Sequence, residues 1–254
     1  MSHISFSELK DWKFCPFYHK LTRIDKLKSF EGNEYTAFGT AIHEVCEKKL
    51  LNEEINSEEH FANVFEEELK KLAEKNITAD PDLVSKMKPQ AGEMLPEVSP
   101  AMLAYFDDFE VVSTEESLMV PIEGSELFFK GYIDAVIKTS DGRYHIIDWK
   151  TCSWGWDARR RADPMTTYKL TLYKLFFCKK HNIDPTSIET YFALLKRTAK
   201  KDRVEIFRVT SGQRKTENAI KLLRKALYNI ENKKYIKNRL SCTKCIFNKT
   251  THCP

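Results

Sequence analysis

The chain has 254 residues, 42% hydrophobic and 31% charged, which is enough apolar material for one enzyme-sized core beneath a well-solvated surface. No apolar run approaches the roughly 18 to 20 residues that cross a bilayer and no apolar leader follows Met1, so we expect an intracellular protein, cytoplasmic or nucleoid-associated, with no membrane partner. The net charge of +4 hides a division: residues 1–126 carry 13 lysines and arginines against 26 acids, whereas residues 127–254 carry 28 against 11. A half that basic points to a polyanionic partner.

Taken in order, residues 5–15 open on a hydroxyl residue and space Phe6, Leu9 and Trp12 helically, which predicts a short capped helix stopped near Pro16. Residues 35–51 repeat Phe38, Ile42, Val45, Cys46 and Leu50 on one side, an amphipathic helix that carries His43. A second, acidic helix is expected within 52–76. Residues 81–100 hold four prolines and resist a regular assignment. From about Val111 the texture becomes β-like, with strands expected at 116–122, 127–137, 143–149, 190–195 and 204–209. Residues 167–181 and 214–232 have helical periodicity with basic polar sides. The chain therefore reads as one α/β domain with a mixed central sheet flanked by helices: a mainly helical part (1–110), a strand-rich core (111–210), and a helix with a cysteine-rich tail (211–254).

The sharpest local feature is Gly131-Tyr-Ile-Asp134 followed, across Ser140-Asp141-Gly142, by Ile147-Asp148-Trp149-Lys150. Alternation puts Asp148 and Lys150 on one face of their strand and Trp149 on the other. A three-residue loop over 140–142 makes residues 139 and 143 a pair and sets Asp134 opposite Asp148. Two carboxylates facing each other repel, which makes most sense with a hard divalent cation between them. A two-residue loop would separate them, and a solvated edge with Lys150 as ion-pair partner is the structural alternative.

The ordered set Phe38-Gly-Thr-Ala-Ile-His43, Gly131-Tyr-Ile-Asp134, Ile147-Asp148-Trp149-Lys150-Thr151 and Tyr173 in a basic helix resembles the RecB-type branch of the PD-(D/E)XK nuclease superfamily. The resemblance implies a restriction-endonuclease-like fold and a DNA exonuclease acting in recombination, repair or DNA processing. It implies that His43, Asp134, Asp148 and the main-chain carbonyl of Trp149 hold Mg²⁺ or Mn²⁺, and that Lys150 orients the attacking water or stabilises developing charge. One departure stands out: the family's helix carries glutamine and tyrosine four residues apart, and here Lys169 holds the glutamine position ahead of Tyr173. No Gly-x₄-Gly-Lys-Ser/Thr loop is present, so any helicase partner would be a separate protein or domain.

Seven cysteines in such a chain suit free, catalytic or metal-binding thiols better than disulfides. Cys242-Thr-Lys-Cys245 and Cys253 close the chain, while Cys15-Pro16 lies near its start. These four resemble the iron-sulfur exonucleases of CRISPR adaptation, in which one early and three late cysteines hold a 4Fe-4S cluster; Zn²⁺ on the same thiolates, or with His252, is the alternative. Cys46 and Cys178 are expected in the core, and nothing around Cys152 supplies the base a thiol nucleophile needs. Trp154, Trp156, Arg159, Arg160 and Arg161 combine indole faces with guanidinium groups, the composition of a groove for single-stranded DNA or free ends, to which Lys169 and Tyr173 would add a phosphate contact and a stacking ring. The rival reading from another class is a non-catalytic DNA-binding module with a zinc clasp; an RNA-directed nuclease is a third.

Overall fold

The computed structural model describes residues 2–27 and 30–254. Strand β1 (His3–Ser5) leads into α1 (Phe6–Phe14), which Ser5 caps by accepting the Glu8 N–H at 3.2 Å. Cys15 leaves helical geometry at φ −165°, and Pro16 then opens α2 (Pro16–His19) at the first-turn position, where its missing N–H costs nothing. Asn33 and Thr36 form a reciprocal capping box at the start of α3 (Glu34–Leu50), and α4 (Ser57–Glu74) follows. Residues 81–100 prove helical: α5 (Pro81–Met94), a single 3-10 turn (Leu95–Glu97) and α6 (Val98–Phe106). The prolines hid a regular apolar stripe, since Pro81 and Pro96 take first-turn positions while Met87, Ala91, Met94, Leu95, Val98 and Met102 are buried.

Strand β2 (Phe109–Pro121) begins well before the expected residue 116; its first half buries no side chain fully, although Phe109 and Val111 pack against the helical core. Strands β3 (Phe128–Thr139) and β4 (Tyr144–Cys152) form the expected hairpin. The Gly142 N–H reaches Thr139 O at 2.9 Å with Gly142 at φ +82°, and the register Lys138↔Tyr144 confirms the three-residue loop. After α7 (Ala158–Ala162) and α8 (Pro164–His181), β5 (Ile188–Lys196) returns parallel to β4, and β6 (Val204–Arg208) pairs antiparallel with β5 before α9 (Gln213–Glu231). The sheet order is β1-β3-β4-β5-β6, with β2 on the other side of β3.

Two apolar cores cover the two faces. Helices α1, α8 and α9 pack on Phe129, Ile133, Val136, Ile146 and Phe192, and helices α3 to α6 pack on Ala135, Ile137, Ile147, Trp149 and Leu195. Ile133 and Ala135 should share a face by alternation, yet they lie in different cores, so β3 changes the face it buries at Asp134. Glu115, which the register sets opposite Asp134, carries the matching irregularity at φ +46°. Among the described residues no helix is long and apolar enough to cross a membrane.

Candidate active site

Strand β2 pairs with β3 along one edge from Phe128 to Thr139. The other edge is divided, because β4 takes residues 135–138 and β1 takes residues 128–130. Residues 131–134 lie in the gap, and there a cleft of about 730 Å³ opens, lined by Lys10, Lys130, Tyr132, Asp134, Lys150 and Arg160 among others.

The ladder between β3 and β4 stops at Ala135↔Ile147, one residue short of Asp134 and Asp148. Beyond it the Trp149 N–H has no strand partner and donates instead to Asp134 Oδ2 at 2.7 Å. The Lys150 ammonium donates to the Trp149 carbonyl at 2.8 Å and pairs with Asp148 Oδ2. From α8, Lys169 reaches the other oxygen, Asp148 Oδ1. From α3, in the opposite layer, His43 Nδ1 stands 3.6 Å from Asp134 Oδ2. The fold thus brings His43, Asp134, Asp148, Lys150 and Lys169 together from helices on both faces and from two strands.

Burial alone would raise the carboxyl pKa of Asp148, which is 1% exposed, but the Lys150 and Lys169 ammoniums outweigh burial and hold it well below the usual carboxylate range. Asp134 goes the other way: burial, then the charge of Asp148, pushes its pKa up. Burial lowers the pKa of His43, so it favours the neutral imidazole that can ligate a metal. For Lys169 burial opposes the charge, yet Asp148 and Asp134 keep it firmly protonated. Sequence reading passed over Glu115, whose carboxyl pKa is raised by burial and then by Asp134 and Glu47.

The sequence model of the PD-(D/E)XK nuclease superfamily matches residues 3–250. The chain belongs to that superfamily. The crystal structure of "Putative exonuclease" from Eubacterium rectale aligns with a TM-score of 0.64 at 13% identity, covering 100% of this chain and 90% of that one. The crystal structure of SSO0001 covers 91% of each chain at 16% identity with a TM-score of 0.39, too loose a fit to carry an argument. No curated protein sequence matches.

Nucleases of this superfamily typically use divalent metals, and the donor chemistry here fits one. Among the described residues no three His, Cys, Asp or Glu side chains stand close enough together to form a metal-binding group. The Lys150 ammonium instead sits between a carboxylate oxygen and a carbonyl oxygen, both hard donors of the kind Mg²⁺ and Mn²⁺ take. Asp148 Oδ2 is fully buried with the Lys150 ammonium as its partner, a cationic place that a metal ion could take.

Around the cleft the other expected residues divide. Trp154 is 77% exposed, while Trp156 is largely buried between Phe192 and Phe207 at ring distances of 4.9 and 6.1 Å, with its remaining exposed edge lining the cleft. Arg160 lies over Trp156 at 4.4 Å and lines the cleft, Arg159 is exposed, and Arg161 is tied to Trp156 O at 2.8 Å and Glu205 at 2.5 Å. Tyr173 is a packing residue that also lines the cleft; a Cβ on Gly131 would meet its ring at 2.8 Å. Lys10, Lys130 and Tyr132 were missed. Lys130 and Tyr132 had a usable signal in flanking Gly131 so near Asp134, whereas Lys10 reaches the cleft only because β1 fills the divided edge.

The expected cysteine cluster is not assembled. Cys15 Sγ accepts the Asn238 N–H at 3.2 Å and lies 3.9 Å from Ile236 O, Cys242 Sγ lies 4.0 Å from Asn238 O, and all seven cysteines are free. Asn238 also donates to Phe14 O at 2.8 Å, and Phe247 packs on Tyr18, so hydrogen bonds and rings fasten the tail to α1 and α2.

Proposed function

We propose that this protein is a divalent-metal-dependent DNA nuclease of the RecB type that degrades DNA from free ends in recombination, repair or processing. The observation that carries the reading is the Lys150 ammonium shared by Asp148 and the Trp149 carbonyl at the base of a cleft walled by Lys10, Lys130 and Arg160. Such a cleft attracts a phosphate backbone without reading sequence. Asp134, Asp148, His43 and the Trp149 carbonyl would hold Mg²⁺ or Mn²⁺. The bound ion would supply charge neutralisation on the phosphate and a water acidic enough to attack. Lys150, once its ligands are taken, turns toward the substrate and balances the charge that builds on the phosphoryl oxygens. Lys169 keeps Asp148 ionised. The exposed Trp154 and Tyr132 offer faces for unstacked bases, which supports a single-stranded or frayed end as substrate. The likeness in fold to a protein described as an exonuclease is consistent with that choice.

The same reading extends to the tail. Cys15 and Cys242 flank Asn238 from opposite ends of the chain, and this supports a cluster site that closes on Cys15, Cys242, Cys245 and Cys253 when iron and sulfide are supplied. Iron and acid-labile sulfide in anaerobically purified protein are expected; zinc alone would replace the cluster with a clasp, and neither metal would remove it.

The deciding experiment is cleavage of end-labelled single- and double-stranded DNA with Mg²⁺, Mn²⁺ or EDTA. Metal-dependent loss of nucleotides from an end is expected, abolished in Asp148→Ala and in Lys150→Ala while most DNA binding remains. Binding without cleavage under every metal condition would make the chain a DNA-binding module.

A further inference from the structure

Asp148 carries two ammoniums, one on each oxygen, and they are held differently. Lys150 is 31% exposed near the end of β4 and lines the cleft, where its ammonium also reaches the Trp149 carbonyl, so it can swing into water when another cation takes its ligands. Lys169 is 21% exposed and also lines the cleft, but it rises from α8, whose Leu170, Leu172, Tyr173 and Phe176 are anchored in the core. Its ammonium is confined between Asp148 and the face of Tyr173, 5.1 Å from the ring centre. Lys150 is thus the exchangeable cation of the pair and Lys169 the fixed one.

We propose that Lys169 permanently occupies the place of a second cation at Asp148, so that the site accepts a single divalent ion. The inference rests on the proposed metal-dependent function. With Asp134 and Asp148 ionised and both lysines charged, the four groups are balanced before any metal enters. One divalent ion would take the place of Lys150 on the carboxylate; a second would have to share the same small group of oxygens with the Lys169 ammonium and another dication. Two-ion nucleases clamp the attacking and leaving oxygens between their metals, and here the ammonium of Lys169 supplies the second positive group in fixed form. Unlike a metal ion it cannot be lost to chelators or exchanged.

Mn²⁺ bound to the DNA-free full chain, counted by calorimetry and by electron paramagnetic resonance, tests this without reference to turnover. We expect about one Mn²⁺ in the wild type, about two in Lys169→Met, and about one in Lys169→Arg, which keeps the charge. Initial cleavage rates should rise with Mn²⁺ along a hyperbola with a Hill coefficient of about 1. Two ions in the wild type, or one ion in a Lys169→Met protein with native circular dichroism, overturns the proposal. If Lys169→Met does not fold, the wild-type and Lys169→Arg counts decide it, two ions in either being fatal. A wild type that binds no Mn²⁺ overturns the metal-dependent function itself, whereas a wild type that binds two and cleaves DNA overturns only the role of Lys169.

Discussion

Asp134 accepts the Trp149 N–H at 2.7 Å just where β3 and β4 part. One carboxylate thereby replaces the ladder hydrogen bond that the diverging strands no longer make, and it stands as a second acid near Asp148. The parted strands open the sheet toward the cleft, and the price is a like-charge pair out of water. Stability and site geometry are set against each other at this one residue.

Asp134→Asn separates the two. Because burial and Asp148 raise the Asp134 pKa, the folded chain binds a proton there more tightly than the unfolded chain. This group therefore favours folding most at pH below the ordinary carboxylate value, and its cost grows as pH rises through the raised folded value. Asparagine keeps an oxygen for Trp149 and removes the charge. We expect a Tm about 2–4 °C higher than wild type at pH 7, the shift produced by about 1 kcal/mol in a chain of this size, shrinking toward zero at pH 4, with cleavage lost. Equal gains at both pH values in thermal denaturation would refute the electrostatic account.

Asp148→Asn should act in the opposite sense. It leaves two ammoniums facing a neutral group, and since both lysines keep some exposure we expect about 2 kcal/mol of destabilisation, less than the loss of a fully buried partner. The folded pKa of Asp148 is depressed, so its contribution is present above the ordinary carboxylate value and fades only as pH falls through the depressed one. Denaturant unfolding at pH 7 should also show Asp148→Asn with Lys169→Met to be more stable than Asp148→Asn alone. A double variant less stable than the single one would mean that Lys169 is held by something other than this carboxylate.

The arginines of 159–161 should part company in DNA binding. Arg160→Ala, or Lys10→Ala across the cleft, should lower the slope of log affinity against log salt by about 1, the signature of one phosphate contact. Arg161→Ala should leave that slope unchanged and lower the Tm, because its guanidinium is committed to Glu205 and Trp156. Fluorescence anisotropy with a single-stranded oligonucleotide measures the slope, and a loss of slope in Arg161→Ala would show that it leaves Glu205 for the phosphate.

Much of this arrangement was legible, and the reasons differ by residue. That Asp134 lies near Asp148 was suggested by loop length, because Gly142 supplies a positive φ and fixes the register, but the ladder ends at Ala135↔Ile147 and Asp134 takes the Trp149 N–H instead. His43 followed only from the order of motifs, since one imidazole on an amphipathic helix says nothing of what it faces. The helices over 81–106 were hidden because proline disfavours helix interiors, yet Pro81 and Pro96 fall in first turns and α5 accommodates Pro89 within it. Trp156 looked like a partner of its arginines, and local composition cannot distinguish a ring beneath a guanidinium in the core from one offered to a base. Lys10 was invisible because it joins the site through β1, a three-residue strand that pairs with residues 128–130 far along the chain.

Asn238→Ala should release the tail. It removes the amide that holds Phe14 O while leaving the main-chain contact to Cys15, so the cost to global stability should stay near 1 kcal/mol, whereas proteolysis within 232–254 should accelerate severalfold. Limited trypsin digestion followed by mass analysis reads this directly. An unchanged cleavage rate would assign the anchoring to Phe247 on Tyr18.

His43 and Lys169 belong to helices on opposite faces of the sheet, and each helix is anchored in its own apolar core. A chain that has consolidated only one of those cores possesses half of the constellation and cannot cut. During synthesis the helix that carries His43 emerges early, but α8 must leave the ribosome and dock before Lys169 meets Asp148. Recovery of activity after unfolding should follow the slower of the two docking events, later than the return of the sheet.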